Sequence, residues 1–279
     1  MTNAPSNSAN FCYRHPDRQS YILCQRCGRT VCTDCQTQAA VGVHCPECVK
    51  EARASAPRTR PAIVTALRSG TRSGTNQPVV TWSLIGITTL VFVLQILPNS
   101  PVGALGTYYP PFTLVMPWTM ITAIFLHGSI LHLLFNMFSL FIFGPILERL
   151  LGRVRFIALY LISGLGGSVA VLLLSPQTSV LGASGAIFGL MGAFFVIQRG
   201  LGGNNIQILL IIGLNLVSGF LIPGVSWQAH LGGVIVGAAV AFVYARTRRR
   251  DQGTVQAAAV VGIFATLVAI TLVRLFLVS

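Results

Sequence analysis

The chain has 279 residues, of which 53% are hydrophobic and only 9% charged, and its mean hydropathy is +0.72. Soluble domains carry roughly 25% charged residues, so this composition excludes a soluble globular protein and points to one built for a bilayer. The net charge of +13, from 19 basic against 6 acidic residues, is then read as a force that orients membrane helices, and no nucleic-acid partner is expected.

The first ten residues, MTNAPSNSAN, are polar and lack the apolar stretch of a cleavable signal peptide. All seven cysteines follow, within residues 1–50, in a segment with four donor pairs, each with two residues between its members: Cys12 and His15, Cys24 and Cys27, Cys32 and Cys35, Cys45 and Cys48. Eight donors make two complete four-coordinate sites, the closed coordination of structural Zn2+. An odd number of cysteines argues against a purely disulfide framework, and His15 fills the missing place; His44 is left over as an ordinary loop residue. The pairs resemble a cross-brace zinc finger of the B-box or RING-like type, which implies that pairs one and three share one ion and pairs two and four the other. Spacing alone leaves sequential pairing open. So short a segment with so few apolar residues is expected to need its metal to fold.

Residues 51–81 are rich in Arg, Ser, Gly, Thr and Pro and read as a flexible basic linker. A short amphipathic helix over residues 62–68, lying on anionic lipid, is the alternative.

Apolar runs then recur at about 82–98, 130–149, 155–174, 183–198, 206–222, 227–245 and 255–278, which predicts seven spanning helices. Residues 118–149 are too long for one span, since ~32 residues rise ~48 Å; a break at Gly128 and Ser129 leaves residues 99–129 as a long interfacial loop. The fold class is therefore an all-α polytopic membrane protein with a small N-terminal two-zinc domain. Arg149, Arg153 and Arg155 fall in the second connection, Arg199 in the fourth, and Arg246, Arg248, Arg249 and Arg250 in the sixth, while the odd connections carry no Lys or Arg. Positive charge then places the even connections, the N-terminus and the zinc module in the cytosol, and the C-terminus outside. A reducing cytosol suits zinc thiolates.

Polar residues inside this region are few. Ser184 opens the fourth span, His230 lies in the first turn of the sixth, and His132 in the first turn of the second, with Asn136 one turn below. All three helices run from outside to inside, so these groups are expected at similar depth near the outer face. The fourth run rises only ~24 Å against a ~30 Å core, so its start is expected below the membrane surface. The preceding SPQTSVLG must then cross membrane depth as irregular backbone, which only a covering of protein or water permits. Ser184 and His230 suit a nucleophile and general base. The only acids between residues 82 and 279 are Glu148 and Asp251, both assigned to the cytosolic side, so the expected unit is a dyad. Phe188, one turn after Ser184, is placed to pack against the His230 ring. The Ser184 N–H, His132 and Asn136 are placed to hold an oxyanion, and Gly182 and Gly185 to admit a peptide backbone. Gly185 with Gly189, and Gly233 with Gly237, are small-residue pairs of the kind found where membrane helices touch.

Three stretches carry a resemblance to the rhomboid family of intramembrane serine proteases: Gly182-Ala183-Ser184-Gly185, Ala229-His230-Leu231-Gly232-Gly233, and His127-x4-His132-x3-Asn136. The resemblance implies a six-helix catalytic core over residues 82–245, with the serine on a short central fourth helix. Residues 246–279 add a basic cytosolic loop and a seventh helix. It further implies cleavage of transmembrane protein substrates near the outer face of a cell membrane, with no metal in catalysis. Ser184 would be the nucleophile, His230 the base, His132 and Asn136 oxyanion donors, and His127 a supporting residue near the site. Thr119 follows Trp118 where many members carry a Trp-Arg pair, and Phe188 stands where some relatives have tyrosine. The finger is expected to engage a cytosolic protein partner. Two rivals remain open: a catalytically silent rhomboid-like scaffold for transmembrane clients, and a metal site on His127, His132 and His230, which lacks a carboxylate.

Overall fold

The computed structural model describes residues 10–39, 41–55, 77–200, 206–221 and 224–277. The chain divides into two compact units, Met1–Thr59 and Arg60–Ser279.

The first unit has almost no regular structure. Strands β1 (Phe11–Cys12) and β2 (His15–Gln19) pair antiparallel, as do β3 (Thr37–Gln38) and β4 (Val43–His44), and helix α1 (Pro46–Ser55) closes the unit. Its core is sulfur: among the described residues Cys12, Cys24, Cys32, Cys35, Cys45 and Cys48 are buried, with Val31 and Val43 beside them and Tyr13 packed against them. Helix α1 takes in residues 51–55 of the segment read as a linker, with Pro46 at its start, Glu47 in the first turn and Cys48 tied into the core, and residues 56–76 lie outside the described residues. The 62–68 segment lies outside the described residues.

Among the described residues the second unit has seven apolar helices of 16 residues or more: α2 (Val79–Gln95), α3 (Ile130–Leu151), α4 (Arg153–Leu174), α5 (Ser184–Gly200), α6 (Ile206–Leu221), α7 (Trp227–Arg246) and α8 (Gly253–Phe276). Four of them, α3, α4, α7 and α8, are long and apolar enough to cross a bilayer; α2, α5 and α6 are apolar but shorter. Ser129 ends the loop where the sequence places the break, its hydroxyl accepting from the His132 N–H at 3.1 Å to cap α3.

The segment before α3 is more ordered than an interfacial loop requires. It contains short helical turns at Val102–Gly106 and Thr119–Thr122 and two 3-10 turns. Trp118 Nε1 donates to the Leu105 carbonyl at 2.9 Å, and Thr122 Oγ1 to that of Gly106 at 3.0 Å. With Thr119 beside it, Trp118 thus still anchors the segment.

Helix α5 sits at the centre, packed chiefly against α7 and α4. Most of it is buried, which is why it reads as Gly- and Ala-rich. Gly185 lies against Gly233 and Gly189 against Gly237, so that a Cβ on either α7 glycine would run into the facing carbonyl of α5. The two contacts step in the same direction along both chains, so α5 and α7 run parallel, with Ser184 and His230 at the same end.

Candidate functional site

The site is built at the starts of α3, α5 and α7. The non-helical chain from Ser175 to Leu181 leads to α5. Its backbone is satisfied by protein: Tyr108 and Val180 exchange hydrogen bonds of 3.1 and 2.8 Å, and the Gly182 N–H donates to the Ala123 carbonyl at 2.8 Å. Hydrogen bonding of this kind, to protein, is what irregular backbone requires wherever water is excluded.

Gly182 has φ +130°, a conformation that side chains rarely adopt, and it is pressed against α3. A Cβ there would stand 2.7 Å from His132 Cε1, 2.8 Å from His132 Nε2 and 3.8 Å from Asn136 Nδ2. Only glycine meets both demands. Two residues on, Ser184 is the first residue of α5 and half-buried. Its N–H is among those that a helix leaves without an intrahelical acceptor.

On the α7 side, Ser226 caps the helix through the Ala229 N–H, and His230 follows, only 6% exposed. The imidazole stacks on the Phe188 ring with centroids 4.0 Å apart and planes 6° from parallel. Its Nδ1 is buried and has no hydrogen-bond partner among the described residues. The Ala229 carbonyl lies over Gly185 and Gly167, so three helices meet just behind Ser184.

His127 lies behind the α3 histidine, its ring 5.0 Å from that of His132 at an angle of 65°. It is 1% exposed, and neither ring nitrogen has a partner among the described residues; Asn136 Nδ2 is buried in the same condition. The structure therefore brings Gly182, His132, Asn136 and His127 together on one side, and Phe188 and His230 on the other, with Ser184 between them in the chain. A residue that the sequence did not point to holds the first group. Gln95, the last of α2, donates from Nε2 to the His127 carbonyl at 3.0 Å and accepts from the His127 N–H at 3.1 Å.

In the first unit the donors fall into two sets, Cys12, His15, Cys32 and Cys35, and Cys24, Cys27, Cys45 and Cys48, with the ligand atoms of each set within 4.8 Å of one another. The pairs interleave, first with third and second with fourth. Cys27 and Cys45 Sγ are 3.7 Å apart, and His15 Nδ1 is 3.4 Å from both Cys32 and Cys35 Sγ. A tetrahedral ion with bonds of about 2.3 Å to sulfur separates its ligands by about 3.8 Å, so both sets are of the right size for a metal ion. Burial acts upward on the Cys24 thiol, but the backbone N–H groups of Cys45, Cys27 and Arg26 outweigh it and bring it down to about 6. Burial and the neighbouring sulfurs push Cys48, in the same set, up to about 12. One thiol ionises easily and a second is then held back, a conflict that a bound cation removes.

The rhomboid domain family matches residues 115–247. RHOMBOID-like protein 6, mitochondrial, of Arabidopsis thaliana is 41% identical over 133 residues, 45% of this chain and 43% of the relative. Putative rhomboid protease YdcA of Bacillus subtilis (strain 168) is 36% identical over 139 residues, 48% of this chain and 70% of the relative. Rhomboid protease GluP of the same organism is 40% identical over 128 residues, 43% of this chain and 24% of the relative. The chain thus spans less than half the length of the plant relative.

Proposed function

The chain belongs to the rhomboid family, and from that premise we propose that it is an intramembrane serine endopeptidase that cleaves transmembrane proteins. Ser184 is the nucleophile and His230 the general base of a dyad. The observation that carries this reading is the union of α5 and α7 at Gly185 and Gly233, with His230 stacked on Phe188 one helical turn from Ser184. His230 takes the hydroxyl proton as Ser184 Oγ attacks the scissile carbonyl, then returns it to the leaving amine. The oxyanion is held by the Ser184 N–H, by His132 and by the Asn136 amide. Unpartnered Asn136 Nδ2 supports this assignment, since a buried donor without an acceptor calls for one. Among the described residues no carboxylate bonds His230 Nδ1. Glu148 is spent elsewhere, accepting from the Val80 N–H at 3.0 Å, the Thr81 N–H at 2.8 Å and the Thr81 hydroxyl at 2.7 Å, so ring stacking takes over the orienting role. His127 supports His132 by contact.

The two donor sets of the first unit hold structural Zn2+ and take no part in the chemistry. The zinc unit and the even connections face the cytosol of a cell membrane, the C-terminus lies outside, and the finger binds a cytosolic protein partner.

The test is fluorophosphonate labelling of the purified protein in detergent, beside Ser184→Ala and His230→Ala, followed by cleavage of a transmembrane substrate in liposomes. Labelling and cleavage lost in both variants are expected. Cleavage that survives Ser184→Ala would overturn the mechanism, and folded wild-type protein inert in both assays would move the reading to the silent scaffold.

A further inference from the structure

At the other end of α3 from His132 lies a cleft of about 370 Å³ that the proposed chemistry does not use. It is lined by Gln77 and Pro78 before α2, Glu148 and Arg149 in the last turn of α3, and Gly152, Arg153 and Val154 at the turn into α4. Its charges are unbalanced. Glu148 is 3% exposed, and both of its oxygens are occupied by the start of α2. Arg149 and Arg153 are exposed, and neither makes an ion pair among the described residues. Two guanidinium groups thus face one small space, and the carboxylate beside them is turned to other donors.

A guanidinium presents paired N–H donors that match phosphate oxygens, and it carries its charge at any ordinary pH. The cleft also lies where two apolar helices of 22 residues each end and begin, α3 and α4. Val154, on its rim, is 80% exposed. A ligand with an anionic head and apolar tails would meet complementary surface on both counts. The volume takes a phosphate group with a small polar substituent and leaves no room for a folded partner.

We propose that Arg149 and Arg153 form a binding site for a phosphate group, supplied by the headgroup of an acidic phospholipid or by a small soluble phosphate. This site is independent of Ser184 and of the protease reading. Occupied, it would bridge α3, α4 and the start of α2, adding α4 to the α3–α2 tie that Glu148 makes.

Native mass spectrometry of the full chain in detergent tests this, with phosphatidylglycerol, phosphatidylcholine and glycerol 3-phosphate as probes. Wild-type protein is compared with Arg149→Gln/Arg153→Gln, and with Arg248→Gln/Arg249→Gln as a charge-matched control. We expect one saturable phosphatidylglycerol adduct per chain, weakened roughly 10- to 30-fold by the loss of two arginines near a membrane surface and unchanged in the control. Displacement of that adduct by millimolar glycerol 3-phosphate would assign the site to the phosphate alone, and persistence would assign it to the intact lipid. Equal binding of phosphatidylcholine, or equal loss in both double variants, would overturn the proposal by showing that only general charge or lipid contact is at work.

Discussion

The Phe188 ring and the His230 imidazole lie face to face, 4.0 Å between centroids and 6° from parallel. With His230 Nδ1 lacking a partner among the described residues, the stack is what fixes the plane of the imidazole. Replacing Phe188 by Leu keeps most of the apolar volume at a cost under about 1.5 kcal/mol and removes the flat face. The protein should remain folded by thermal shift while fluorophosphonate labelling slows roughly 2- to 13-fold, the cost of losing an aromatic contact of about 0.5–1.5 kcal/mol at His230. Unchanged labelling in folded Phe188→Leu would show that something other than the stack orients the ring.

Gly233 and Gly86 give a matched pair of glycine-to-alanine changes with opposite signs. A Cβ at Gly233 collides with the Gly185 carbonyl, whereas one at Gly86, in α2, meets nothing within 4 Å. Gly233→Ala should lower stability by about 1–3 kcal/mol through overpacking and prise α5 from α7, so that labelling of Ser184 fails as well. Gly86→Ala should raise stability by up to ~1 kcal/mol, because alanine is the better helix former. Thermal unfolding of both variants in one detergent reads the two signs directly.

That helix contact was open to sequence reading, because close approach demands small residues and Gly185, Gly189, Gly233 and Gly237 advertise it at four-residue spacing. The short α5 and the irregular chain before it were equally legible, since bilayer thickness sets a length that 17 residues cannot meet. The ordered turns before α3 were not. They are held by side chains reaching single carbonyls, such as Trp118 on Leu105, and such bonds leave no periodic trace. Glu148 also escaped. Its partners Val80 and Thr81 lie 68 and 67 residues away, and two of the three bonds come from backbone N–H groups that almost any residue could supply. In the first unit the ligand types were readable, but their interleaving rested on a resemblance until the geometry divided them.

Gln95 is a second residue of that hidden kind. It makes a two-way bond with the His127 backbone, and the His127 ring touches His132. Gln95→Leu removes both bonds, each worth about 0.5–1.5 kcal/mol net. Labelling should fall several-fold, and the His127 amide should exchange with deuterium faster while amides in the middle of α5 keep their protection. Gln95→Glu keeps the acceptor for the His127 N–H and should recover part of the loss. If Gln95→Leu changes neither labelling nor His127 exchange, the clamp does not position His132.

Metal removal tests the interleaved clusters. Cys12 and Cys32 fall in one set and Cys24 in the other. Cys12→Ser/Cys32→Ser should therefore spare one ion per chain by elemental analysis, whereas Cys12→Ser/Cys24→Ser should lose both. Sequential pairing would put Cys12 with Cys24 and Cys32 in the other site, so that Cys12→Ser/Cys24→Ser would keep one ion and Cys12→Ser/Cys32→Ser none, and that reversed result would refute the interleaving. Chelation of the wild-type chain should unfold the first unit, since binding of structural zinc at about 10–16 kcal/mol exceeds what a few buried apolar residues supply. The unit should then become sensitive to added protease. Fluorophosphonate labelling of Ser184 should survive the same treatment, because the second unit has its own core of packed helices and its proposed chemistry draws on no metal. Loss of labelling on chelation would mean instead that a metal-binding histidine site, or a signal from the finger, governs the serine.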